Sequence, residues 1–170
     1  MKLDINDKKL HEQFIACKRK HIVMITNHGI HQWQIIPGLA DTGGQNVFVN
    51  NMTDGLVDAG AKVTIVNRGG YKHPVTGNMR RGIDYKNSRQ RILFLEDGEN
   101  NFVRKEDMND YLTGLFEFAT EVLLDAGIRI DLLVSHYWDA GKLGFLFQDK
   151  LRENGRRRDV EHVWVPHSLG

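Results

Sequence analysis

Five short runs constrain this chain more than anything else in it. They are residues 21–26 (HIVMIT), 62–67 (KVTIVN), 91–96 (RILFLE), 131–135 (DLLVS) and 162–166 (HVWVP). Each is rich in Val, Ile or Leu, and none alternates strictly between apolar and polar. Strict alternation marks a strand with one wet face. Its absence marks strands covered on both faces, as in parallel sheets. Trp164, inside the last run, reads as core. Helical patterns lie between the runs. Phe48, Met52 and Leu56 recur every four residues within a helix predicted over 46–59. Met108, Leu112, Leu115, Ala119 and Val122 form one face of a second helix, and Leu143, Leu146, Phe147 and Leu151 suggest a third. Gly60 and Gly127 follow helix ends, where a left-handed residue is needed. Strand and helix in turn predict an α/β fold with a Rossmann-like, doubly wound parallel sheet.

The 170 residues have room for one sizeable core. Residues 1–20 predict a short N-terminal helical extension, and 21–170 a single domain. With 23 basic and 22 acidic residues the net charge is +1, which argues against a nucleic-acid partner and a polybasic membrane patch. The cluster Arg156-Arg157-Arg158 lies beside Glu153 and Asp159 and reads as a solvated loop. No uncharged run is long enough to span a bilayer, and the charged first 20 residues lack the apolar centre of a signal peptide. Cys17 is alone, so no internal disulfide forms and a cytoplasmic setting is expected.

Between the first strand and the first long helix lies His28 to Gln45, a long loop ending in Asp41-Thr42-Gly43-Gly44-Gln45. Loops of that length in a compact domain are usually functional. Free N–H groups and the positive end of the helix dipole point outward at such a junction and suit anionic or hydroxyl-rich ligands. Glycine has no Cβ to keep a ligand from the backbone. Gln45 offers a donor and an acceptor to sugar hydroxyls. Asp41 and Thr42 are equally explained as helix caps. His28, Gly43-Gly44-Gln45, Arg68, Asn101, His136 and His167 all fall at or just after predicted strand ends, the edge where open α/β sheets bind ligands. His28, His31, His136, His167 and Asp41 also admit a metal site.

The segment from His28 to Gln45 resembles the sucrose synthase and sucrose-phosphate synthase family of retaining GT-B glycosyltransferases, which carry H-G followed by D-T-G-G-Q after the first strand. Ser135-His136-Tyr137-Trp138-Asp139 is similar to the family's (T/N)-(H/Y)-Y-x-D, and Pro166-His167-Ser168-Leu169-Gly170 to its T-H-S-L-G. Phe102-Val-Arg-Lys-Glu106 is a looser echo of (Y/F)-L-x-K-E. The resemblance spans about residues 21–170. It implies part of the N-terminal, acceptor-side domain of a GT-B fold. That domain would serve transfer of a hexosyl group from a nucleotide-diphosphate sugar to fructose, fructose 6-phosphate or a similar acceptor. No cofactor and no protein-bound metal are implied.

On this resemblance His167 is the catalytic residue, placed by the donor glucosyl ring. Gly43, Gly44 and Gln45 contact acceptor and donor, and His28 and His136 bind sugar hydroxyls. His31 is a polar loop residue. Ser168 binds an acceptor phosphate or caps a following helix. Tyr137 and Trp138 stack on sugar or pack. Arg68 reaches a phosphate or is solvated, and Asn101 falls near a phosphate-binding lysine of the family. The chain stops four residues after a strand, and the resemblance reaches only the acceptor-side domain, so a missing C-terminal donor domain, with the family's basic pair and E-x7-E motif, is expected and the chain alone is expected to be inactive. Two other readings remain open: a non-catalytic module binding a sugar phosphate or nucleotide, and a metal-dependent hydrolase using the histidines.

Overall fold

The structure is a computed structural model and describes residues 3–153 and 160–167. A short helix α1 (Lys8–Ala16) precedes the central strand β1 (His21–Ile25), α2 (Gly44–Asp58) and β2 (Lys62–Arg68). A hairpin of β3 (Gly82–Asn87) and β4 (Gln90–Leu95) follows, then α3 (Leu112–Ala119), β5 (Leu132–His136), α4 (Tyr137–Glu153) and β6 (Glu161–Val165). The strands form one sheet in the order β3-β4-β2-β1-β5-β6. All neighbours are parallel except β3 and β4.

The doubly wound reading holds, because successive strand residues enter opposite cores. Ile22 and Met24 pack under α2 with Ile65, Ile92 and Val134. Val23 and Ile25 face the other side, with Leu95, Leu115, Leu133, Leu143 and Phe147. The extension contributes Phe14, fully buried beneath the Arg91 guanidinium, 4.2 Å from the ring centroid. Gly60 and Gly127 take φ of +100° and +70°, as the predicted helix ends require.

Four local expectations fail. The buried stripe of α2 is Asn46, Val49, Thr53 and Val57. Phe48 lies on the exposed side, and Met52 and Leu56 flank the stripe. Polar groups occupy the inner face because loop side chains need partners there. The strand β3 is missing from the prediction. As an antiparallel edge strand it buries only alternate residues such as Ile83 and Tyr85. The predicted second helix begins as a 3₁₀ turn (Lys105–Tyr111) and ends in a π-helical stretch (Thr120–Asp125), although Met108, Leu112, Leu115, Ala119 and Val122 are all buried. Trp164 is 44% exposed, because β6 is the edge strand of the described sheet and both Val163 and Trp164 lie open.

Polar groups fix the amino edge of the sheet. His21 is buried, with Nδ1 2.7 Å from the Arg129 carbonyl, so Nδ1 carries the proton. Its Nε2 accepts from Thr64 Oγ1 at 2.8 Å, and that oxygen accepts from Arg91 Nε. Desolvation and the Arg91 charge push His21 down to about 3. Burial also takes His31 to about 4 and His136 to about 3. An unfolded imidazole takes its proton near pH 6.5, while these three resist it until pH 3 to 4. The unfolded state therefore binds more protons in that window, and stability falls as pH drops through it. Each imidazole is expected to cost about 2 kcal/mol between pH 7 and pH 5. Urea unfolding at both pH values checks this. An unchanged midpoint would show that these imidazoles are not held neutral.

Candidate sugar-binding site

The loop after β1 is held by its own side chains. A Cβ on Gly29 (φ +74°) would lie 2.2 Å from the Asp41 carbonyl oxygen, so only glycine lets the loop close on itself. The Ile30 N–H donates to Thr42 Oγ1, and the Lys105 N–H donates to Asp41 Oδ2. Asp41 and Thr42 thus brace loops and do not cap α2. Asn46 Oδ1 instead accepts from the Gly43 N–H at 3.0 Å. The N–H groups of Gly44 and Gln45 have no acceptor among the described residues.

His31, read as a polar loop residue, is fully buried. Asn46 Nδ2 donates to its Nδ1 and its Nε2–H donates to Asn50 Oδ1, at 3.2 and 3.0 Å. Arg80 donates to its carbonyl and to Asn67 Oδ1, while Asn67 Nδ2 donates to the carbonyls of Thr26, Asn27 and Gly29. This network is why α2 turns a polar face inward.

A cavity of about 320 Å³ opens at the start of α2, lined by His28, Leu39, Asp41, Thr42, Gly43, Gly44, Gln45, Asn46, Lys105 and Tyr137. A Cβ built on Gly43 or Gly44 meets nothing within 4 Å, and neither glycine has positive φ. The fold does not require glycine at either position; the space is left open. Gln45 Nε2 donates to Thr26 Oγ1 at 2.8 Å. His28 packs edge-on against Tyr137, with ring centroids 4.9 Å apart. Its Nδ1 lies 2.8 Å from Asp139 Oδ1, with the side chains 5% and 0% exposed.

Beside the cavity His136 Nδ1 meets His167 Nε2 at 2.9 Å. Phe48, one turn along α2 from Gln45, packs on both rings. Desolvation lowers His167. His28, Gln45, His136 and His167 therefore share the carboxyl edge of the sheet. Asp41, Tyr137 and His167 are the only non-glycine residues with positive φ among those described, at 49°, 74° and 58°. Left-handed backbone costs such residues about 1–3 kcal/mol, and it clusters at functional sites.

Other expectations need correction. Arg68 is not available to a phosphate. It is 2% exposed, with Nε and Nη2 donating to Asp97 at 2.6 and 2.9 Å and further donors on the carbonyls of Glu99 and Asn101. The Asn101 side chain turns to Glu99, and the lysine that reaches the cavity is Lys105. His136 is fully buried, so it meets His167 and does not face the cavity directly. Ser168 lies outside the described residues. Among those described, no group of three or more His, Cys, Asp or Glu side chains is arranged to hold a metal ion. Asp139 was missed, and Lys105 was noted only as a neighbour of Asn101. A helix-start aspartate 111 residues from its histidine leaves no spacing signal.

The chain matches no protein-family model. It is 29% identical over 149 residues to mannosylfructose-phosphate synthase of Agrobacterium fabrum, covering 88% of this chain and 30% of the relative. To D-inositol 3-phosphate glycosyltransferase of Corynebacterium aurimucosum it is 32% identical over 152 residues, covering 87% of this chain and 32% of the relative. The chain thus spans about a third of the length of the curated relatives it matches. Its fold superimposes on sucrose-phosphate synthase of Thermosynechococcus elongatus with a TM-score of 0.70 at 23% identity, covering 89% of this chain and 34% of that one. With its mixed six-stranded sheet and its glycine-led helix at the carboxyl edge, the chain belongs to the GT-B glycosyltransferase family, of which it covers one Rossmann-like portion.

Proposed function

We propose that this chain is the acceptor-side portion of a retaining hexosyltransferase. The full polypeptide would move a hexosyl group from a nucleotide-diphosphate sugar to fructose, fructose 6-phosphate or a similar polyol phosphate. The observation that carries the reading is the open start of α2. Two glycines that the fold does not require leave two unpaired N–H groups facing a cavity lined by His28, Gln45 and Lys105. The helix dipole favours an anion there. The Lys105 ammonium, 37% exposed and 3.9 Å from the exposed Glu106 carboxylate, supports a phosphorylated acceptor. His167, exposed and left-handed at the same edge, is the proposed contact to the donor glucosyl ring. Positioning and stabilisation of the departing diphosphate would supply most of the rate. The donor's nucleotide would be held by a second domain, so the 170-residue chain alone turns nothing over. No cofactor or metal is assigned. No helix among the described residues is long and apolar enough to cross a membrane, and we assign the protein to the cytoplasm.

The test is direct. Polypeptide extended through a donor domain is incubated with nucleotide sugars and with fructose, fructose 6-phosphate and inositol phosphate. Disaccharide, disaccharide phosphate or glycosyl-inositol phosphate with retained anomeric configuration, together with released nucleoside diphosphate, is the expected product. No transfer to any of these acceptors would overturn the reading.

A further inference from the structure

We propose that Asp139 is a positioning residue that fixes His28 as a hydrogen-bond acceptor, so that the cavity selects its ligand by a hydroxyl group donating to His28 Nε2. This rests on the reading of the cavity as a sugar site. A carboxylate only accepts hydrogen bonds, so the contact of 2.8 Å between Asp139 Oδ1 and His28 Nδ1 places the imidazole proton on Nδ1. The other nitrogen of a neutral imidazole then carries a lone pair. Among the described residues the His28 ring makes its one hydrogen bond through Nδ1, to Asp139, and His28 lines the cavity.

Two features prevent escape from this arrangement. Asp139 is fully buried in the first turn of α4, where the helix amides favour negative charge. Its Oδ2 already lacks a partner among the described residues, so a flipped imidazole would strip the carboxylate of its remaining donor. Tyr137, edge-on at 74°, packs against the ring. A nitrogen lone pair repels phosphate and carboxylate oxygens and attracts O–H. The N–H groups of Gly44 and Gln45 and the Lys105 ammonium make the opposite choice. One cavity therefore sorts a sugar phosphate by orientation, with a hydroxyl toward His28 and the anion toward α2 and Lys105.

The experiment has two arms. In the 170-residue chain, ¹⁵N NMR should show His28 as the Nδ1–H tautomer, and Asp139→Asn, which offers both a donor and an acceptor, should release it. In the longer polypeptide, Asp139→Asn should raise the acceptor KM about 10- to 100-fold and leave the donor KM unmoved. One monodeoxy acceptor should lose a similar factor with the native enzyme and nothing further with the variant. His28→Ala in the Asp139→Asn background should add no further loss. If Asp139→Asn does not fold, His28→Ala with the same deoxy series carries the kinetic arm. An Nε2–H tautomer in the native chain, or an unchanged acceptor KM in folded variants, overturns the proposal. If no sugar acceptor binds the native polypeptide, the functional reading fails instead, and the tautomer alone then judges the Asp139–His28 pair.

Discussion

Gly44→Ala in the longer polypeptide should lose roughly two to four powers of ten in turnover while the protein stays folded. Gly44 opens a 15-residue helix, its φ lies outside the left-handed region, and a Cβ there meets no atom within 4 Å. Alanine therefore fits the free protein and restricts the unfolded chain, a gain of about 0.4–1 kcal/mol. The melting temperature should hold or rise. The loss appears only with ligand present. A Cβ keeps substrate oxygens from the N–H groups of Gly44 and Gln45, and each charge-assisted bond is worth about 1.5–3 kcal/mol. Steady-state kinetics with a melting curve tests both halves. Near-normal turnover in the folded variant would make the glycines incidental.

The largest effect on stability should come from Asp97→Ala. It leaves the Arg68 guanidinium, 2% exposed, without its bidentate carboxylate. Breaking a buried pair by removing one partner costs about 3–5 kcal/mol, because a charge remains in a medium that cannot solvate it. Asp4→Ala, which breaks the exposed pair with Arg81 (54% and 63% exposed), should cost about 0–1 kcal/mol. Denaturant unfolding of the two variants checks the contrast. Equal losses would mean that the Arg68 pair is solvated, and the expected phosphate role for Arg68 would reopen. Replacing both partners by apolar residues should recover much of the Asp97 loss.

These cases show what a sequence can disclose. The parallel strands were legible from their apolar runs, although β6 is not covered on both faces, and Gly60 and Gly127 were legible because a backbone conformation selects the residue type. Gly43 and Gly44 stood out only through the flanking Asp41-Thr42 and Gln45, and the open space beside them is read from the structure. The inner face of α2 was not, since Asn46 and Thr53 are buried by partners elsewhere in the chain, His31 and Met24, which no helical period encodes. Arg68 looked free because its counter-ion sits 29 residues on, in a loop with no motif. Lys105 was visible as a neighbour of Asn101, but only the 3₁₀ turn and the Asp41 contact bring it to the cavity.

The strand order also sets a timetable. β1 lies between β2 and β5, and the His28–Asp139 contact spans 111 residues. During synthesis the first 100 residues can close α1, β1, α2 and the β3–β4 hairpin, yet one flank of β1 stays open until β5 is made. Loop closure over such distances is slow, and an open apolar strand edge invites association while it lasts. In refolding, helix signal should return early and the ordered His28 ring late. Slow emergence of the last third of this segment from the ribosome would lengthen the dangerous interval, so translation speed beyond residue 100 should govern its soluble yield.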